Sequence, residues 1–173
     1  MACDERRIAA LIERWERPLV LYAARLLNDV EAARDAVQET FLRLVERGTA
    51  PPGREAEWLY AVCRNLAIDR LRKERRMDRL QHETTDTAHE SPPSAGLERD
   101  DQQDELQRWL GRLPANQREV VRLKFQHDRS YAEIAKITGL GIGNVGFLLH
   151  TALKSLRAFA DQRTQRHLTK ETP

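Results

Sequence analysis

The side chains of this chain that could do chemistry are charged and amide groups set at helical spacing. Asp35, Gln38 and Glu39 stand three and four residues apart, so a helix would gather them into one exposed patch that is acidic at two of its three positions. A second stretch, WLYAVCRNLAIDRLRKERRMDR (Trp58–Arg79), changes character along a single expected helix. Leu59, Val62 and Leu66 recur at packing positions, and then Arg72, Arg75, Arg76 and Arg79 recur three and four apart. Between them stand Tyr60, an aromatic able to stack on a base, Arg64, a phosphate binder, and Asn65, which can donate and accept hydrogen bonds. These groups suit recognition of nucleic acid, although a solvated basic face would use the same residues.

Bond-making chemistry has no counterpart in the pattern. There is no nucleophile elbow, phosphate loop, HExxH or pair of catalytic carboxylates, and His82, His89, His127, His150 and His167 are scattered without ligand spacing. Cys3 and Cys63 form no CxxC or Cys/His set, so neither a metal site nor a cofactor is expected. Both read as reduced thiols, Cys63 as a packed one.

Charged residues make up 32% of the chain and hydrophobic ones 40%, which suits helical domains with modest cores. The formal charge of +2 announces no polyanion partner, but its distribution does. Arg64 to Arg79 is basic, and Glu83 to Glu105 is acidic apart from Arg99, which confines the electrostatic footprint to one surface. No apolar run approaches the roughly 18 residues of a membrane span, and MACDERR lacks a signal-peptide core. No membrane insertion and a cytoplasmic location are therefore expected.

The elements that must position these groups are helices. Ile8, Leu11, Ile12 and Trp15 mark a first helix over Asp4–Glu16, interrupted near Pro18, with a second from Leu19 to Leu27. A third, Glu31–Glu46, buries Ala33, Val37, Phe41 and Leu44 and carries the acidic patch on its other side. GTAPPG (Gly48–Gly53) breaks the helical ladder and delivers the chain into the Trp58 helix. Gln81–Asp101 has too few large apolar side chains to offset its chain entropy and reads as a flexible acidic linker.

Beyond it, Leu106, Trp109, Leu110 and Leu113 share a helical register, and Pro114 starts the next helix, whose buried positions fall among Val120, Val121, Leu123, Lys124 and Phe125. Ser130 and Glu133 form a capping box for a short helix through Ile134 and Ile137; Gly139 stops it, and a longer helix from about Ile142 keeps Val145, Leu149, Ala152, Leu156 and Phe159 on one stripe. This is a helix-turn-helix, and the spacing of Ala135, Gly139 and Val145 favours the DNA-binding kind over a plain bundle. The fold class is thus all-α, with two small helical domains at 4–80 and 104–162, a linker at 81–103 and a frayed tail at 163–173.

Three segments in this order resemble the extracytoplasmic-function (ECF) sigma factors of bacterial RNA polymerase: DAVQETFLRL (35–44), WLYAVCRNLAIDRLRKERR (58–76) and LPANQREVVRLKFQHDRSYAEIAKITGL (113–140). The resemblance implies a first domain that grips the polymerase and melts the promoter, and a second that reads the upstream, minus-35 element. Asp35, Gln38 and Glu39 match the family patch that docks on the coiled coil of the β′ subunit. Tyr60, Arg64 and Asn65 fall in the segment that handles the minus-ten element, with Arg70, Arg72, Lys73, Arg75 and Arg76 neutralising phosphates nearby.

The implied partners are core RNA polymerase, through β′ and β, promoter DNA, and an anti-sigma factor as a possible regulator. For the minus-35 element the implied residues are Ser130, Tyr131, Asn144, Phe147, Leu148, His150, Thr151 and Lys154. Here the chain departs from its relatives, which usually carry several Lys and Arg on that helix face, whereas IGNVGFLLHTALKSLR brings Lys154 and Arg157 late. Phe147 and Leu148 could meet thymine methyls or, equally, a neighbouring domain or inhibitory protein. The expected function is a promoter-specificity subunit, with a stand-alone helix-turn-helix regulator and a sigma-derived protein-docking module as alternatives.

Overall fold

The computed structural model describes residues 2–81 and 101–168, with side chains placed over 5–77 and 105–163. All seven elements among the described residues are helices: α1 (Ala2–Leu27), α2 (Val30–Arg47), α3 (Glu55–Gln81), α4 (Asp101–Gly111), α5 (Ala115–Phe125), α6 (Tyr131–Thr138) and α7 (Ile142–Leu168). They form two compact units, one built on α1–α3 and the other on α4–α7. The expected linker lies outside the described residues except at its ends, where Gln81 closes α3 and α4 begins at Asp101.

In the first unit α1, α2 and α3 pack pairwise around Leu19, Tyr22, Val37, Leu44 and Leu59. The helix break expected at Pro18 does not occur, and α1 runs unbroken from Ala2 to Leu27. Trp15, Leu19, Tyr22 and Leu26 keep one register across the proline, and Leu19 and Tyr22 are completely or almost completely buried. Packing of that stripe outweighs the missing N–H of one residue. Asp29 caps α2 by accepting the backbone N–H groups of Glu31 and Ala32 at 2.8 and 3.1 Å. Gly48, at φ 79°, ends it in the left-handed conformation and starts the expected loop.

In the second unit α5 packs on α7 around Val120, Leu123, Val145, Leu149 and Ala152. The capping box of α6 is present: the Ser130 hydroxyl accepts the Glu133 N–H at 3.2 Å, and the Glu133 carboxylate accepts the Ser130 N–H at 2.8 Å. Gly139, at φ 76°, closes the helix as anticipated. Among the residues of these two registers, Leu106 and Phe125 are well exposed, while Leu110, Leu113, Val121 and Leu123 fill the interior. α7 continues to Leu168, over the first part of the expected tail, and Arg163 forms an ion pair with Glu105 of α4; residues 169–173 lie outside the described residues.

Candidate functional site

The face of α2 opposite its core stripe brings the acidic patch together. Asp35 and Gln38 are exposed and Glu39 is half-buried beside them, while Ala33, Val37, Thr40, Phe41 and Leu44 point inward. Glu39 accepts a hydrogen bond from Arg43 one turn on, at 3.2 Å. Asp35 is met from α3 by Arg70, whose guanidinium donates to the Asp35 carboxylate at 3.4 Å and to the Ala32 carbonyl at 2.9 Å. The same face continues into Leu42 and Val45, both more than half exposed. The sequence reading missed this pair, although their places seven and ten residues after Asp35 put them in its row. The result is a patch with carboxylates and an amide at one end and unpaired apolar side chains at the other.

On α3 the structure divides the expected nucleic-acid residues. Tyr60 must be withdrawn as a base-stacking residue, because it is 1% exposed and makes edge-on contacts with Trp15 and Tyr22 at centroid distances of 6.2 and 5.1 Å. The buried stripe is Leu59, Tyr60, Cys63 and Ala67, with Val62 and Leu66 half-buried at its sides. The more accessible aromatic of this helix is Trp58, which the Arg47 guanidinium overlies 5.8 Å from the ring centre.

Arg64 is half-buried and Arg70 is engaged with α2, whereas Asn65, Arg72, Lys73, Arg75 and Arg76 are exposed. Arg72 is within 3.4 Å of Asp69 yet 77% exposed, so water screens that pair and leaves the guanidinium accessible. Arg79 belongs to the helix, but its side chain lies outside those described.

In the second unit Asn144, Phe147, His150 and Lys154 are exposed on α7, and Ser130 and Tyr131 stand exposed at the start of α6. Leu148 is a correction, since it is 6% exposed and belongs to the core with Leu149. Thr151 is half-buried, and its hydroxyl donates to the Phe147 carbonyl at 2.9 Å, which leaves it only acceptor capacity toward a partner. Gly146 lies against Tyr131, where an added Cβ would meet the ring at 3.7 Å. In the same unit His127 is pushed down to about 4 by burial and then by the charges of Arg129 and Arg122. Burial pushes the Glu133 carboxyl up, but hydrogen bonds from Ser130 together with Arg129 outweigh it and hold the group below the ordinary value.

No group of three or more metal-ligating side chains is found among the described residues. Residues 11–77 match the Sigma-70 region 2 family and residues 103–156 match Sigma-70, region 4. An ECF RNA polymerase sigma factor, SigL of Mycobacterium tuberculosis, is 32% identical over 90% of both chains.

The chain belongs to the ECF RNA polymerase sigma factors.

Other relatives agree. The RNA polymerase sigma factor CarQ of Myxococcus xanthus is 32% identical over 79% of both chains. The sigma factor RpoE of Bartonella quintana, crystallised with the anti-sigma factor NepR, shares the fold at a TM-score of 0.68 and 22% identity, covering 87% of this chain and 94% of that one. As a sigma factor the chain is a promoter-specificity subunit that directs transcription initiation and is not an enzyme. Among the described residues no single helix is long and apolar enough to cross a membrane.

Proposed function

We propose that the two units divide the work of this sigma factor between them, acting in the cytoplasm. The α2 face of Asp35, Gln38, Glu39, Leu42 and Val45 docks on the coiled coil of the polymerase β′ subunit. Asn65, Arg72, Lys73, Arg75 and Arg76 on α3 engage the minus-ten region, and α6–α7 reads the minus-35 element with Ser130, Tyr131, Asn144, Phe147, His150 and Lys154. Tyr60 and Leu148 have no direct part, because both are core residues.

The observation that carries this reading is the α2 patch. Acidic groups give orientation and encounter rate against a basic partner surface, and exposed Leu42 and Val45 beside them supply the apolar contact area that carries affinity. An anti-sigma regulator of the kind seen with the Bartonella quintana protein belongs to the same proposal.

The test is transcription from a promoter library by purified core polymerase, with and without the protein and with its Asp35→Ala/Glu39→Ala variant. Specific transcripts that depend on the wild-type chain and collapse with the variant are expected. Core binding without transcripts would favour a docking module, and failure to bind core a stand-alone DNA-binding regulator.

A further inference from the structure

The exposed strip of α7 has a particular chemistry for a surface that meets DNA. Gly143, Phe147, His150 and Lys154 follow at i, i+4, i+7 and i+11, which places them on one side of the helix, with Asn144 on the flank. Phe147 is 65% exposed, the most exposed large apolar side chain among the described residues. The backbone beside it is bare, since a Cβ added at Gly143 would meet nothing within 4 Å. Between Ile142 and Leu153 there is no lysine or arginine. Lys154 comes about 18 Å along the axis from Ile142 at the rise of an α-helix. The N-terminal turns of a recognition helix meet base edges, and Lys154 and Arg157 lie beyond those turns.

That distribution selects among the bases. Guanine is read best by the forked or multiple donors of Arg and Lys at its O6 and N7, and the first turns of α7 offer none. His150 has no two-pronged donor, and the Thr151 hydroxyl proton is committed to the Phe147 carbonyl. The Asn144 amide, in contrast, can accept from adenine N6 and donate to N7, and an exposed phenyl ring fits the C5 methyl of thymine.

We infer that Asn144 and Phe147 determine specificity at the upstream promoter element, selecting adenine and thymine at neighbouring base pairs and leaving guanine unselected there. This rests on the assignment of α6–α7 to that element and deepens it.

The experiment is transcription by core polymerase and the full chain from a library randomised across the upstream element, followed by the best promoter remade with deoxyuridine in place of thymidine at the selected positions. Adenine and thymine should be enriched at two or more adjacent positions. Removing the thymine methyl should lower promoter use about fourfold, the factor one buried carbon group supports. Phe147→Ala should lower it by a similar factor and abolish the difference between thymidine and deoxyuridine, while Asn144→Ala should cost roughly tenfold at the adenine position. Both residues are exposed, so circular dichroism and melting of the variants should match the wild type.

Guanine enrichment at these positions, or equal use of thymidine and deoxyuridine by the wild type, would overturn the inference and leave the sigma assignment standing. A library yielding no dependent transcripts would overturn the inference and the division of labour together.

Discussion

At the scale of single residues, the second unit carries an acid sensitivity that its titrating groups make explicit. His127 is held down to about 4 in the folded protein, below its ordinary 6.5, so it takes up a proton on unfolding. The unfolded state then binds more protons, and stability falls as the pH drops from 6.5 through about 4. Glu133 adds to this at lower pH: its folded value lies below 4.5, so its contribution is present above 4.5 and is lost as the pH falls through the lowered value. Thermal melts in a pH series should show the decline, and His127→Gln should flatten it between 6.5 and 4. An unchanged slope would assign those protons to other groups. Cys63 behaves oppositely, its thiol pushed up to about 12 by burial despite a hydrogen bond with Thr40. In a Cys3→Ser background a thiol reagent at pH 8 should therefore react only when the protein unfolds.

At the scale of elements, α3 shows what a residue list conceals. Tyr60 looked like a nucleic-acid residue because an aromatic beside Arg64 and Asn65 has the right chemistry, but periodicity places it one position from Leu59 in a stripe continued by Cys63 and Ala67. Only knowing that both α1 and α2 pack against this helix shows that the apolar arc is wide enough to include it. Tyr60→Ala should cost about 3–5 kcal/mol of stability by chemical denaturation, whereas loss of promoter binding at full stability would restore a role at DNA.

The basic half of α3 is a separate matter. Removing Lys73 and Arg76 together should weaken promoter engagement across sequences and reduce the slope of log affinity against log salt by about 2. An unaltered slope would mean that these cations face water even in the complex. In α1 the legible signal was Pro18 and the decisive one was the register running past it. Pro18→Ala should raise the melting temperature by restoring a donor to the Arg14 carbonyl.

At the scale of the molecule, both helical units and the turn chemistry were readable in advance, because Gly48, Ser130, Glu133 and Gly139 each solve a local problem of chain geometry. What was hidden depends on contacts between elements: the burial of Leu148, the exposure of Leu42 and Val45, and the ion pair of Arg163 with Glu105. Arg70 is the most consequential of these. By reaching from α3 to Asp35 and the Ala32 carbonyl, it holds a cation of the helix proposed to meet the promoter on the face proposed to dock polymerase. On that proposal, whatever basic group captures Asp35 during docking competes with Arg70 and frees its guanidinium toward the promoter, so assembly and promoter capture would share one negative charge. Linkage makes that competition mutual, and an exposed pair of this kind limits it to about 1 kcal/mol, or roughly fivefold. Arg70→Gln should accordingly bind core polymerase more tightly and gain less for DNA on doing so, leaving a factor that assembles readily but commits to promoters with less discrimination between the free and the assembled state.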